Sequence, residues 1–328
     1  MENQTLKECS CTICGGEAIS FLFLGADYIT AETFNIYKCR VCNSVATKPD
    51  LKTDDFQKYY PQAYYGQRKT VTDSWINRSR LQKVSCISDS KNIVSKKTLL
   101  DVGCGDGSFI SLLAAQGWGV AGTEMASPGS YAMKAPNFIC RGELGNCGFA
   151  MGSFDIVTMW HSLEHFTDPL TYLREAQRLL KQDGVLLLEV PNFGSWEAKI
   201  FKQNWFHLDV PRHVFHYDIK SLLFILNKTG FRITKTSTVS FFYGLFGLVQ
   251  SSLNVVCRRK NLLFDMINKK INRSDLKKNL KDAFVTCLLT IPVSVAAAVF
   301  FLVATLFKKG SIITVWAEKI QQKLYVRD

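Results

Sequence analysis

The run Leu99-Leu100-Asp101-Val102-Gly103-Cys104-Gly105-Asp106-Gly107 constrains the fold more than any other stretch, because an apolar run ending in an acid and three alternate glycines reads as strand, tight turn and helix start. Two glycines let the backbone turn sharply and approach a ligand with no Cβ in the way, and the third lets the following helix pack against the strand. A dinucleotide fingerprint sets its third glycine further on, so that a pyrophosphate sits on the helix N-terminus. Here Gly107 comes only two residues after Gly105, and Asp101 and Asp106 flank the turn, where carboxylates would repel phosphate. The turn suits a nucleotide-like ligand with a cationic end.

The motif resembles the first motif of the class I S-adenosylmethionine-dependent methyltransferases, and further segments follow in that family's order. Trp118 to Glu124 is similar to the second strand, whose terminal acid binds the ribose hydroxyls in the family; Glu124 lies 21 residues after Gly103. Gly152 to Trp160 resembles the fourth strand, and Glu164-His165-Phe166-Thr167-Asp168-Pro169, Leu179 to Gly184 and Val190-Pro191-Asn192 come next. Gln182-Asp183-Gly184 departs from the family's usual Pro-Gly-Gly at a tolerant turn. The resemblance covers Thr98 to Val239 and resumes at Gly310 to Lys319. It implies an α/β fold, a Rossmann-like seven-stranded sheet with helices on both faces. It also implies S-adenosylmethionine held by Asp101, Gly103, Gly105, Gly107, Glu124, Glu143 and Trp160.

Cysteine spacing adds a second module. Cys11-x2-Cys14 and Cys39-x2-Cys42 are separated by 24 residues, room for a short hairpin. Two such turns supply four thiolates for a closed, structural zinc site with no open position for water. A zinc ribbon is expected over residues 9–48, with Cys9 as a spare candidate, and the other six cysteines read as small buried hydrophobes. Such modules occur in some sugar-modifying and ribosomal-RNA methyltransferases. The chain then divides into a zinc-ribbon-like module (1–50), a helical and aromatic connector (51–97), a methyltransferase core (98–239 and 310–328) and a hydrophobic, basic insertion (240–309). In the connector, Tyr59-Tyr60-Pro61-Gln62-Ala63-Tyr64-Tyr65-Gly66 and Trp75 to Leu81 read as an aromatic turn with short helices, which either cover the cofactor or pack the ribbon on the core.

All five histidines lie between residues 161 and 216, on the two segments that follow the fourth and fifth strands. Ligands of open α/β sheets bind beyond the carboxyl ends of the strands, so both segments converge on the methyl-acceptor side. A histidine can take the proton of a hydroxyl acceptor while the protein aligns it with the methyl group. His165, His213 and His161 are the catalytic candidates, while His207 and His216 read as capping or packing groups. His161-x-x-Glu164-His165 also spells an inverted zinc-protease pattern. That chemistry needs both histidines on one helix face, and Asp168-Pro169 interrupts any helix there.

Net charge is +12, but the 98–239 core carries 12 basic and 13 acidic residues whereas 240–328 carries 14 and 5. A nucleic-acid substrate would want a basic stripe along the site, so the charge distribution argues against one. The polar N-terminus has no apolar signal region, and the expected location is the cytoplasm. Thr236 to Cys257 and Ala283 to Phe307 are uncharged, and between them Arg258 to Lys281 holds nine basic and two acidic residues. Two crossings would put that basic run on the far side, against the positive-inside tendency. The expectation is a monotopic insertion on the inner face of an anionic membrane. Both segments dip into one leaflet, Pro292 breaks the longer one, and Leu263, Ile267 and Ile271 set the basic segment on the headgroups. A buried helical pair is the soluble alternative.

These features describe a methyltransferase acting on a lipid-linked or amphipathic acceptor. A polyprenyl-linked sugar of surface-polysaccharide synthesis is favoured over a quinone precursor, with ribosomal RNA and a non-enzymatic scaffold as competitors. RNA-independent membrane pelleting would argue against the RNA reading, and failure to bind cofactor would revive the scaffold.

Overall fold

The structure, a computed structural model, describes residues 10–49, 58–61, 71–91, 97–125, 136–268, 270–271 and 273–320. Cys9, the Tyr64-Tyr65-Gly66 turn and residues 321–328 of the core lie outside the described residues.

The chain begins with three antiparallel strands, β1 (Ile19–Ala26), β2 (Thr33–Cys39) and β3 (Val45–Lys48). Where short helices are expected, one helix of 20 residues runs, α1 (Val71–Ser90). The core follows as β4 (Thr98–Val102), α2 (Ser108–Ala115), β5 (Gly119–Glu124), β6 (Ile139–Arg141), β7 (Phe154–Trp160), α3 (Pro169–Leu179), β8 (Leu180–Pro191) and α4 (Trp196–Phe201). A two-residue strand β9 (Phe215–His216) precedes α5 (Ile219–Lys228) and β10 (Phe231–Ser237). The insertion supplies α6 (Phe241–Val256), α7 (Leu262–Ile267), α8 (Arg273–Lys278) and α9 (Leu280–Leu306), and β11 (Ile312–Lys319) returns to the sheet.

Seven strands form the main sheet in the order β10-β11-β8-β7-β4-β5-β6. β11 lies antiparallel between β10 and β8, and the rest pair in parallel. This is the Rossmann-like sheet the motifs imply. Buried parallel strands read as continuous apolar runs, as in Ile156, Val157 and Met159 of β7 and Leu186, Leu187 and Leu188 of β8. Flanking helices are fixed at their starts: Asp168 caps α3 by accepting from the Thr171 N–H, with Pro169 in the first turn, and Asp218 and Ser221 form a capping box on α5. The departing Gln182-Asp183-Gly184 lies at the start of β8, where a Cβ on Gly184 would lie 3.1 Å from the backbone oxygens of Asp155 and Lys181.

The N-terminal strands share a sheet with the core chain. β3 pairs antiparallel with β9, Val45 opposite His216 and Ala46 opposite Phe215, so a four-stranded sheet β1-β2-β3-β9 incorporates a strand from the core chain.

The insertion differs from expectation in three respects. First, α6 is enclosed rather than dipped into a leaflet: Gln250, Ser251 and Asn254 are buried on it, and Gly244 and Gly247 permit close packing, since a Cβ on Gly247 would lie 2.4 Å from His207 Nε2. Second, α9 runs as one helix through the exposed Pro292. Third, Leu263 and Ile267 of α7 line an open cavity beside the histidines. Their helix is pinned to α6, where the Asn261 N–H donates to Asn254 Oδ1 at 2.8 Å and the Phe264 N–H donates to Gln250 Oε1 at 2.8 Å. The scattered cysteines are also corrected: Cys104 and Cys257 are buried, Cys86 and Cys287 are exposed, and Cys140 and Cys147 form a disulfide.

Glu197 of α4 joins the insertion to the core. Its Oε1 accepts from the Ser251 hydroxyl of α6 at 2.9 Å, and burial pushes its pKa up to about 8 despite that donor. The folded protein therefore holds a proton that the unfolded chain releases above its ordinary carboxylate range. Stability contributed at this site is greatest in acid and falls as pH rises from about 4.5 to about 8. Glu197→Gln cannot ionise, so its urea midpoint should lie above wild type at pH well above 8 and close to wild type in mild acid. Parallel pH profiles for the two proteins would contradict this account of the site.

Candidate active site

The glycine turn forms as its spacing predicts. Gly103, Gly105 and Gly107 all have positive φ (76°, 58° and 75°), and the Gly103 and Cys104 N–H groups donate to the Thr123 carbonyl of β5. A Cβ on Gly103 would lie 2.7 Å from Ser162 Cβ, whereas one on Gly105 would meet nothing within 4 Å. The first glycine is needed for packing, and the second leaves open space for a ligand. Glu124 stands at the end of β5, and its Oε2 accepts from the Gly105 N–H at 2.8 Å, so carboxylate and turn form one cradle.

The other residues assigned to the cofactor occupy different positions. Asp101 is 2 % exposed and lies beneath the turn, where Oδ1 accepts from the Thr158 hydroxyl; burial raises its pKa to about 6, partly opposed by Thr158 and Arg80. The Trp160 indole belongs to the core, edge-on to Phe109 at 5.8 Å. Glu143 is exposed at the start of a 3-10 turn, on the loop closed by the Cys140–Cys147 disulfide. Asp106, before the N-cap Gly107, accepts from the Ser108 N–H at 2.9 Å. The sequence reading left the connector either over the cofactor or packing the ribbon on the core, and it missed two cations on α1. Arg80 and Lys83 lie 5.2 and 5.5 Å from the Trp160 ring, and Lys83 also pairs with Glu189 at the end of β8. Their i, i+3 spacing was the available signal.

At the ends of β7 and β8 the histidines gather around Glu164, which is 1 % exposed and has no hydrogen-bond partner for either oxygen among the described residues. His161 has φ +52° and lies between two carboxylates, Nδ1 3.5 Å from Glu164 Oε1 and Nε2 3.4 Å from Glu189 Oε1. Burial disfavours its charged form, but these carboxylates outweigh burial and raise its pKa. His213 Nδ1–H donates to the His207 carbonyl at 2.9 Å, which leaves Nε2 as the acceptor nitrogen of the neutral ring, 4.0 Å from Glu164 Oε1. In the same way His165 Nδ1–H donates to the Arg212 carbonyl at 3.0 Å. The ligand-type atoms of Glu164, His165 and His213 lie within 4.8 Å of one another, an arrangement able to receive a proton or hold a cation. Burial depresses the pKa of His213 to about 4 and that of His207 and His216 to about 3, so all three are neutral near pH 7. His207 donates to the Tyr243 carbonyl and His216 to the Thr47 hydroxyl, matching their expected packing roles.

The N-terminal sheet holds this segment in place. Arg212 is completely buried and donates to Asp27 Oδ1 at 2.7 Å, Asp209 Oδ1 at 2.9 Å and the Tyr59 carbonyl at 2.9 Å. Thr47 of β3 donates through its hydroxyl to the His213 carbonyl at 2.7 Å. Cys11, Cys14, Cys39 and Cys42 cluster at the base of the sheet, with Cys11–Cys42 and Cys14–Cys39 sulfur separations of 3.5 and 3.6 Å. The edge of a tetrahedral zinc–thiolate site is about 3.8 Å, so the cluster has zinc-ribbon geometry.

Above the histidines lies a cavity of about 700 Å³. His161, Glu164, His165 and His213 line its polar part, while Phe241, Phe242, Leu245, Phe246, Leu263 and Phe264 from α6 and α7 make the apolar walls.

Residues 76–236 match a family model described as a methyltransferase domain. Among curated proteins, the ubiquinone biosynthesis O-methyltransferase of Histophilus somni is 27% identical over 164 residues, 44% of this chain and 65% of that protein. Its counterpart in Pseudomonas paraeruginosa is 31% identical over 119 residues, 32% of this chain and 48% of that protein. The chain thus spans between about half and two thirds of these relatives' length. Among solved structures, an S-adenosylmethionine-dependent methyltransferase from Archaeoglobus fulgidus has 16% identity and a TM-score of 0.46, covering 75% of this chain and 94% of that one.

Removing the Glu124 carboxylate takes away one wall of the cradle and the partner of the Gly105 N–H. Glu124→Ala should weaken S-adenosylmethionine binding by about 1.5–3 kcal/mol, the usual range for a hydrogen bond to a charged group. Calorimetry that returned wild-type affinity would remove Glu124 from the site.

Proposed function

We propose that the class I S-adenosylmethionine-dependent methyltransferase domain carried by residues 76–236 methylates a hydroxyl group on an amphipathic acceptor. The observation that carries this reading is the division of the cavity lining: four imidazoles (His161, His165, His207 and His213) and the carboxylates of Glu164 and Asp209, set against phenylalanine and leucine walls from α6 and α7. An acceptor placed there would set a hydroxyl against the histidines and an apolar tail along α6 and α7. The curated relatives' name, ubiquinone biosynthesis O-methyltransferase, supports a ring hydroxyl carrying an apolar chain. That favours the quinone-precursor reading over the polyprenyl-linked sugar, for which the comparisons give no support.

Gly103, Gly105 and Gly107 with Glu124 would hold the cofactor, whose sulfonium supplies an activated methyl group when bound. The protein aligns the acceptor and accepts its proton. His213 is neutral and presents the Nε2 lone pair, and Glu164 opposite it would stabilise the imidazolium as it forms. The Glu164 pKa is lowered, because its interaction with His161 outweighs the cost of burial. A zinc ion at the four cysteines would be structural, since four thiolates leave no open coordination position.

With a short-chain prenylated catechol as acceptor, His213→Gln should lower kcat by about 10²–10⁴-fold, the usual contribution of a positioned base. Its S-adenosylmethionine affinity should stay within about twofold of wild type, because the glycine turn does not contact His213. Unchanged turnover in His213→Gln would refute the assignment of the base.

A further inference from the structure

α9 has apolar residues on both faces but different surroundings for each. Ala283, Thr286, Ala297, Phe301 and Ala304 are buried, and Thr290 and Ser294 line the cavity. On the outer side Phe284, Leu288, Ile291, Val295, Val299 and Leu302 succeed one another at steps of three or four residues, each at least 60% exposed, and Leu306 beyond them is 81% exposed. Together they make one continuous stripe along a helix roughly 40 Å long. No charge interrupts it between Asp282 and Lys308. Exposed lysines stand at both ends, Lys277, Lys278 and Lys281 before the stripe and Lys308 and Lys309 after it. A soluble monomer seldom presents so long an apolar surface to water.

The fold fixes how this helix can meet an apolar medium. β10 and β11, the strands that bracket the insertion, pair with each other in the main sheet, and α9 packs on α6. The helix therefore lies along the protein surface instead of projecting from it. A second copy of the chain docked through the same face would bring lysine-bearing ends against lysine-bearing ends, in either helix orientation. A leaflet offers hydrocarbon to the stripe and anionic headgroups to the lysines at both ends. We propose that α9 lies in the plane of an anionic membrane, with its outer stripe at the headgroup–acyl boundary. Given the proposed amphipathic acceptor, the same helix would then separate the bilayer from the cavity, so a lipid-soluble acceptor reaches the histidines from the side.

The test is flotation of the full chain with vesicles of phosphatidylcholine alone or with about one third phosphatidylglycerol. Wild type should float with the anionic vesicles and more weakly with the neutral ones. The triple variant Leu288→Glu, Val295→Glu, Leu302→Glu should lose binding to anionic vesicles by roughly a hundredfold or more. Lys308→Glu with Lys309→Glu, confined to an exposed turn, should weaken anionic binding by at least about fivefold for each lysine and leave neutral binding nearly unchanged. Both variants should keep wild-type S-adenosylmethionine affinity by calorimetry, a readout independent of acceptor identity and of the methyl-transfer reading. Wild type that floats with neither vesicle overturns the proposal. So does a wild-type dimer, seen by light scattering, that the triple variant dissociates without any vesicle binding, because a second copy would then occupy the stripe.

Discussion

The guanidinium of Arg212 is fully enclosed, and the architecture of the acceptor side depends on how its charge is satisfied. A lone buried cation is very unfavourable, and breaking a buried pair by removing one partner typically costs about 3–5 kcal/mol. Here Asp27 comes from the N-terminal sheet, Asp209 from the loop after α4 and the Tyr59 carbonyl from the connector. Three segments far apart in sequence must therefore meet at one point. The His213 carbonyl is held by Thr47 next to this point, so the orientation of the Nε2 lone pair follows from the ribbon sheet. The four-cysteine cluster lies at the base of that sheet.

The glycine cradle and the histidine cluster fall on different structural supports. The glycine turn, Glu124 and Asp101 rest on β4 and β5 in the middle of the main sheet, where parallel neighbours on both sides fix them. The histidines rest on loops that leave β7 and β8, and they depend on β9, the ribbon and α6 for their positions. Such loops can be rebuilt for a new acceptor while the sheet stays the same. The insertion extends this logic by adding an apolar wall and pinning it through buried amides.

The core was legible in the sequence because its signals are local. A strand followed by alternate glycines, an acid 21 residues after Gly103 and an Asp-Pro helix start each report on a few neighbouring residues, and the structure places all of them as read. The cysteine spacing worked for the same reason. The pairing of β3 with β9 was not legible, because it joins residues about 170 apart through backbone groups that carry no side-chain signature. Hydropathy also misled within the insertion. The uncharged run at α6 looked like a leaflet segment, yet Gln250, Ser251 and Asn254 satisfy one another and their neighbours inside the protein. Pro292 looked like a break, but α9 continues through it.

The central claim, that the ribbon holds the acceptor-side histidines, is tested most directly by hydrogen–deuterium exchange before and after a chelator strips metal from the four cysteines. The account predicts that exchange speeds up together in residues 33–48 and 205–217, while residues 98–124 around the glycine turn keep their protection. A chelated protein that lost protection in the ribbon but kept it across 205–217 would contradict it.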